Sequence, residues 1–224
     1  MPNINIIFED NHILVVEKPI NIPTQADDSG DSDMLFIIKK YLKEKYEKPG
    51  NVFVGLVHRL DRPVGGVMVF AKTSKAASRL SEQIRNHEFK KTYLAVTHGK
   101  PAKVKDTLKN FLLKDKDKNI SKVADENESD AKEAILDYEV KSSKDGYSLI
   151  KVNLHTGRSH QIRVQFANIG NPLYGDQKYG VNINKVGQQI ALWANEIEFI
   201  HPITKEIIKF HLNPPNIIPW NMFE

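Results

Sequence analysis

Two stretches concentrate side chains able to do chemistry. VGLVHRLDRPVGGVMVFAKT (residues 54–73) sets His58, Arg59, Asp61 and Arg62 between two apolar runs, and LHTGRSHQIRVQFANIG (154–170) sets Arg158, Ser159, His160 and Arg163 after Gly157. A carboxylate at a strand end, held in a concave site, can act as a nucleophile or as an acid–base group, because a neighbouring guanidinium keeps it ionised against desolvation. The turn DRPVGG equally suits an Asp61 that only accepts local backbone N–H groups, and the pattern by itself leaves both readings open. If NVFVGLVHRL is a strand, alternation puts Arg59 and Asp61 on one side and His58 and Leu60 on the other. In the second stretch Ser159 is a good N-cap for a helix running from His160. The N-terminus of that helix and Arg158 together make an anion site suited to phosphate, while Arg163 faces solvent or a cleft. Tyr93, in KKTYLAVTHG (90–99), reads as a half-buried sheet residue whose chemistry depends on a neighbour such as Asp61.

Other chemistries lack their signatures. The sequence has no phosphate-binding GxxxxGK[ST], no GxGxxG, no metalloprotease histidine pair, no zinc-deaminase motif and no GxSxG elbow. With no cysteine there is neither a disulfide framework nor a thiolate metal site, and a reducing compartment fits. Metal and nucleotide cofactors are therefore disfavoured. His12, His87 and His201 stand alone and read as surface or turn residues.

The elements that must position these groups follow from periodicity. INIIFED and HILVVEKP read as strands around Glu9–Asn11, and Ser32 or Asp33 caps a helix over MLFIIKKYLKEKY with Leu35, Ile38 and Leu42 on one face. VMVFAK reads as a strand buried on both sides. Thr73 or Ser74 caps KAASRLSEQIRNH, and FKKTYLAVTHG returns as a strand. Residues 114–132, dense in both charge signs, read as a solvated, mobile loop. EAILDYEV, YSLIKVNL, IALWANEIEFI and EIIKFHL complete the strands. Strands mostly follow strands with few helices between them, which predicts an α+β fold with a largely antiparallel sheet. The 224 residues, 40% hydrophobic and 27% charged, allow a real core, and the net charge of +4 permits an anionic partner without requiring one. The start lacks a signal peptide and no apolar run reaches the ~18 residues of a membrane helix, so a soluble, cytoplasmic protein is expected.

Taken jointly and in order, FEDNHILVVEKPINIP, VHRLDRPVGGVMVFAKT, KKTYLAVTHG and LHTGRSHQIRVQFANIGNPLYGDQKYG resemble the RluA-type pseudouridine synthases, from about residue 7 to residue 212. The resemblance implies the pseudouridine synthase fold, a long curved sheet flanked by a few helices and loops. It implies an RNA uridine isomerase that detaches uracil from ribose at N1 and reattaches it at C5, without cofactor or metal. By the same resemblance Asp61 is the catalytic aspartate, and Tyr93 packs on the base and assists proton removal from C5. Arg163 is the basic residue paired with the aspartate, and Arg59 sits where some relatives fill the gap left by a flipped nucleotide. Arg158 and His160 complete the substrate-binding candidates. The expected partner is an RNA stem-loop, ribosomal or transfer RNA, with no obligatory protein partner and a monomer as default. One catalytic domain over 1–224 is expected, without the N-terminal S4 domain many relatives carry, since the first motif starts within ten residues of Met1. Two departures stand out. Val64-Gly65-Gly66 replaces the family's common Thr-Ser-Gly, removing two hydroxyls from the turn, and Gln165 stands where His is frequent. Rival readings are a non-catalytic RNA-binding protein on the same fold and a carboxylate N-glycosylase releasing free uracil.

Overall fold

Asp10 accepts the N–H groups of His12 and Ile13, both at 2.7 Å, and so turns the chain between its first two strands. Asp33 accepts from Phe36 N at 2.9 Å and Thr73 from Ala76 N at 3.2 Å, starting the first two helices as N-caps do. The computed structural model describes residues 4–223. In chain order the elements are β1 (Ile6–Glu9), β2 (Ile13–Lys18), α1 (Met34–Lys45), β3 (Gly55–Leu56), β4 (Gly65–Ala71) and α2 (Ser74–Arg85). There follow β5 (Lys90–His98), β6 (Lys105–Asp115), β7 (Ile120–Ala124), β8 (Lys132–Lys144), β9 (Tyr147–Leu154), α3 (Gln161–Asn168), β10 (Leu192–Ile200), β11 (Ile207–His211) and a 3-10 turn at Trp220–Phe223. This is the α+β pattern that strands following strands implied.

The chain divides into two compact units. The first runs to Lys90 and takes in Ala194–Asn213, and the second holds Lys91–Trp193 and the chain from Pro214. In the first, antiparallel ladders join β1 to β2, β2 to β4, β3 to β4 and β10 to β11. Ile13, Val15, Val67, Val69, Ala71, Ile197 and Phe199 meet Ala76 and Leu80 of α2 and Phe89 in one core. Alternation sends Leu14, Val16, Met68 and Phe70 to the other face, and these too are fully buried. A strand buried on both faces needs the uninterrupted apolar run that β4 has.

In the second unit the strand order is β5-β9-β8-β6-β7, every ladder antiparallel. Val164 of α3 packs with Leu112 of β6 and Ala134 of β8, and Phe166 meets Tyr138 edge-on.

Two expectations are corrected here. Residues 114–132 are not one continuous loop, because β7 pairs with β6 from Phe111↔Ala124 to Asp115↔Ile120 between the irregular stretches 116–119 and 125–131. Its anchor is polar rather than apolar. Ser121 is buried, its N–H donates to the Tyr179 hydroxyl at 2.7 Å and its hydroxyl to Ser159 O at 2.8 Å, so charge density hid a strand. Before the first turn, only Gly55–Leu56 of NVFVGLVHRL is strand, so the alternation argued for Arg59 and Asp61 does not apply.

Candidate functional site

The irregular segment His58–Asp61 is braced from within the first unit. His58 Nε2 accepts the N–H of Val69 on β4 at 3.1 Å, which places its proton on Nδ1, and its ring lies 5.4 Å from that of Phe89. Thr24 closes a reciprocal pair with Leu60, donating its hydroxyl to the carbonyl at 2.9 Å and accepting the N–H at 3.3 Å. Asp61 O accepts from Val64 N at 2.9 Å, closing the turn. Arg62 reaches back to Asp27 and Asp31. Asp61 is half-buried and Arg59 exposed.

Lys18, the last residue of β2, is the element that sequence reasoning missed. It is fully buried, and its ammonium donates to Val64 O at 2.7 Å, Pro19 O at 2.9 Å and Arg62 O at 3.0 Å. Three N–H donors meet three carbonyls, two of them from the turn that carries Asp61. Burial pulls the Lys18 pKa down to about 7, with the Asp61 charge pushing it up and the Arg62 charge pulling it down. The Arg62–Val64 turn is thus gripped through its carbonyls. Gly66 is required for a steric reason. With φ at 125°, a Cβ there would lie 2.3 Å from Ala194 O on β10.

The second unit carries the other candidates. Tyr93 lies on β5 opposite Val152 and is buried. Arg163 is buried inside α3 and does not face solvent, and the structure gives it a carboxylate partner the sequence did not reveal. Nε donates to Asp176 Oδ2 at 2.8 Å and a terminal nitrogen to Oδ1 at 2.7 Å, a bidentate pair. Asp176 Oδ1 also accepts Lys178 N at 2.9 Å and Tyr179 N at 3.2 Å. Burial acts most strongly on Asp176 and pushes its pKa up, but Arg163 and these N–H groups outweigh it and hold the carboxyl below its usual range. The Arg163 guanidinium lies over the Tyr179 ring, 5.3 Å from its centre. Tyr179 OH accepts from Ser121 N and lies within hydrogen-bond distance, 2.8 Å, of His160 Nδ1.

The start of α3 differs from expectation. Its N-cap is His160, left-handed at φ 55° and without a side-chain cap bond, rather than Ser159. Gln161, the first helical residue, holds the preceding loop instead, accepting Arg158 N at 3.0 Å and the Thr156 hydroxyl at 2.8 Å. Arg158 is exposed and donates Nε to Glu133 O at 2.8 Å. Gln165 is buried and its amide nitrogen bonds Asn110 Oδ1 at 2.8 Å, with Leu108 O and Ala134 O each at 3.2 Å. His201 is also buried, against the surface reading. Its Nδ1 accepts from Thr204 N at 3.0 Å and Ile203 N at 3.3 Å, and its Nε2 lies 2.9 Å from Asp10.

The sequence matches the model of the RNA pseudouridylate synthase family over residues 12–168, a span containing Asp61, Tyr93 and Arg163, and the chain belongs to that family. It is an isomerase acting on RNA, of the RluA type. An uncharacterized RNA pseudouridine synthase of Bacillus subtilis (strain 168) is 35% identical over 208 residues, covering 92% of this chain and 67% of the relative. Ribosomal large subunit pseudouridine synthase D of Zymomonas mobilis is 31% identical over 225 residues, covering 95% of this chain and 69% of the relative. Among solved structures, human RNA Pseudouridylate Synthase Domain Containing 4 shares the fold with a TM-score of 0.79 at 22% identity, over 94% of this chain and 88% of that one.

Proposed function

We propose that Asp61 is the nucleophile of a synthase that isomerises specific uridines in structured RNA. The observation that carries this reading is the bracing of its turn. Lys18, Thr24 and His58 each hold the backbone around Asp61, and a nucleophile gains from such preorganisation. A uridine in a stem cannot present its glycosidic bond, so it is flipped out, at a cost of a few kcal/mol. The Asp61 carboxylate adds at C6 of the base or at C1′ of the ribose, and on either route it leaves again as carboxylate. The N1–C1′ bond breaks, a C5–C1′ bond forms, C5 loses its proton and N1 gains one.

Tyr93 offers a flat face to uracil, worth roughly 1–3 kcal/mol, and assists removal of the C5 proton. Arg163, held by Asp176, is the basic residue that acts with Asp61 on the uridine. Arg59, exposed beside Asp61, occupies the gap left by the flipped base, and Arg158 and His160 bind the RNA backbone. The Zymomonas relative, a ribosomal large subunit pseudouridine synthase by name, supports ribosomal RNA over transfer RNA as substrate. The catalytic unit works without cofactor, as a cytoplasmic monomer.

Purified protein incubated with a transcript carrying 5-fluorouridine at the target is expected to give a stable complex or an altered product. RNA binding with neither would favour a non-catalytic binding protein, and release of free uracil an N-glycosylase. Pseudouridine maps of total RNA from cells with and without the gene identify the target, and loss of a transfer RNA site alone would overturn the ribosomal assignment.

A further inference from the structure

The outward face of α1 has no part in the chemistry above. Met34, Ile37, Ile38 and Leu42 form its buried stripe. Phe36, Lys39, Lys40 and Lys43 follow on another stripe at i, i+3, i+4 and i+7, the spacing that lines one helix face. With Gly50, Asn51 and Val52 they line an open groove of about 490 Å³. Its lining holds three lysines and no carboxylate. Lys40 reaches Glu44 at 3.6 Å, and among the described residues Lys39 and Lys43 make no ion pair.

Some exposed lysines elsewhere are matched, while others, such as Lys75, Lys100 and Lys205, make no ion pair among the described residues. Lys103 pairs with Asp106, Lys105 with Glu139, Lys109 with Glu133 and Lys122 with Glu128. A solvated helix face gains nothing from a phenylalanine 54% exposed at the head of its lysine row. A shallower depression adjoins the groove, sharing Phe36 and Lys39 and bounded by Gln25, Ala26, Asp33 and Leu35. The segment from Thr24 to Asp33 therefore runs from the Asp61 turn, where Thr24 bonds Leu60 and Asp27 and Asp31 meet Arg62, to this groove.

We propose that the Phe36–Lys39–Lys40–Lys43 face is a second RNA contact, binding a single-stranded stretch that flanks the target uridine. The lysines neutralise phosphodiesters and the Phe36 ring stacks on an unpaired base, the pairing of basic groove and aromatic platform that serves single strands. The inference rests on RNA being the substrate.

The test measures binding of a fluorescein-labelled oligouridylate of about twelve nucleotides by anisotropy over a salt series. The full chain is compared with Lys39→Ala/Lys43→Ala, Phe36→Ala and Gly50→Glu. An added Cβ at Gly50 meets nothing within 4 Å, so that variant introduces a negative charge without a clash. Lys105→Ala/Lys109→Ala, with the same change in net charge, is the control. The double groove variant is expected to bind about tenfold or more weakly, with a salt slope shallower by roughly 0.7 per lysine removed. Phe36→Ala and Gly50→Glu are expected to weaken binding as well, and the control to bind nearly as the parent does. Parent-like affinity and slope in the groove variants would overturn the proposal, as would an equal loss in the control. Loss of a concentration-dependent dimer in Phe36→Ala, with RNA binding intact, would assign the face to a second copy and also overturn it. If the parent itself does not bind the oligouridylate, the proposal is overturned, while the 5-fluorouridine transcript assay decides separately whether RNA is the substrate.

Discussion

Arg163 is buried with its charge compensated by Asp176 through two short hydrogen bonds, so each member of the pair is required by the other. Removing one partner of such a pair costs about 3–5 kcal/mol, because the remaining charge is stranded away from water. Asp176→Asn is expected to lower the denaturation midpoint accordingly, and Arg163→Met/Asp176→Leu to lose less than the single change. Equal losses would show that packing, not the uncompensated charge, sets the penalty. Lys18→Met removes the donor shared by the carbonyls of Pro19, Arg62 and Val64, and leaving the buried Val64 carbonyl unpaired costs about 1–3 kcal/mol. Because two of these carbonyls belong to the Asp61 turn, kcat is expected to fall while KM changes little. A fall in stability with unchanged kcat would make Lys18 purely structural.

At the scale of elements, the passage from the Asp61 turn into β4 depends on Gly66, whose missing side chain lets the chain pass close to Ala194. Gly66→Ala is expected to destabilise the protein by more than the ~1 kcal/mol of an ordinary glycine-to-alanine change and to reduce turnover, with denaturation and activity assays as readouts. Much of this scale was legible in the sequence. The caps at Asp33 and Thr73, the doubly buried β4 and the antiparallel order all follow from local pattern. The failures have physical causes. Strand β7 is pinned by hydrogen bonds from Ser121 to Tyr179 and Ser159, distant in sequence, and no apolar alternation announces it. Helix α3 starts one residue later than a Ser159 cap implies, because His160 takes the left-handed N-cap position, a backbone conformation that no local pattern announces. The joint motifs nominate Asp61, Tyr93 and Arg163 as candidates, whereas Lys18 and Asp176, though inside the same stretches, carry no motif signal of their own there. Lysine is rarely buried, and Asp176 sits in a Gly- and Pro-rich loop thirteen residues from Arg163. One signal for Lys18 was present. Ile13–Val16 is continuously apolar, as a strand buried on both faces must be, so a lysine at its end has no outward side.

For the molecule as a whole, Glu9 is one carboxylate through which acid pH acts on stability. Lys72 and Tyr46 donate to Oε1 at 2.6 and 2.7 Å, and Lys45 and Tyr41 to Oε2 at 2.7 and 2.8 Å, tying β1 to α1 and to the end of β4. Burial, the largest single influence, pushes its carboxyl up, but these four bonds together bring it down to about 2. A carboxylate depressed in the folded state contributes its stability above its unfolded pKa of 4.5 and loses it as pH falls toward 2. Glu9→Gln is expected to cost on the order of 1–3 kcal/mol at pH 7 and to flatten the fall in stability between pH 4.5 and 2. An unchanged acid limb in urea melts would contradict this. The central claim is that Asp61 is the nucleophile, and the most direct measurement is pseudouridine formed on target RNA by purified Asp61→Asn protein, with RNA affinity measured in parallel. The account expects no product above background and affinity close to that of the parent. Retained pseudouridine formation by Asp61→Asn would contradict it.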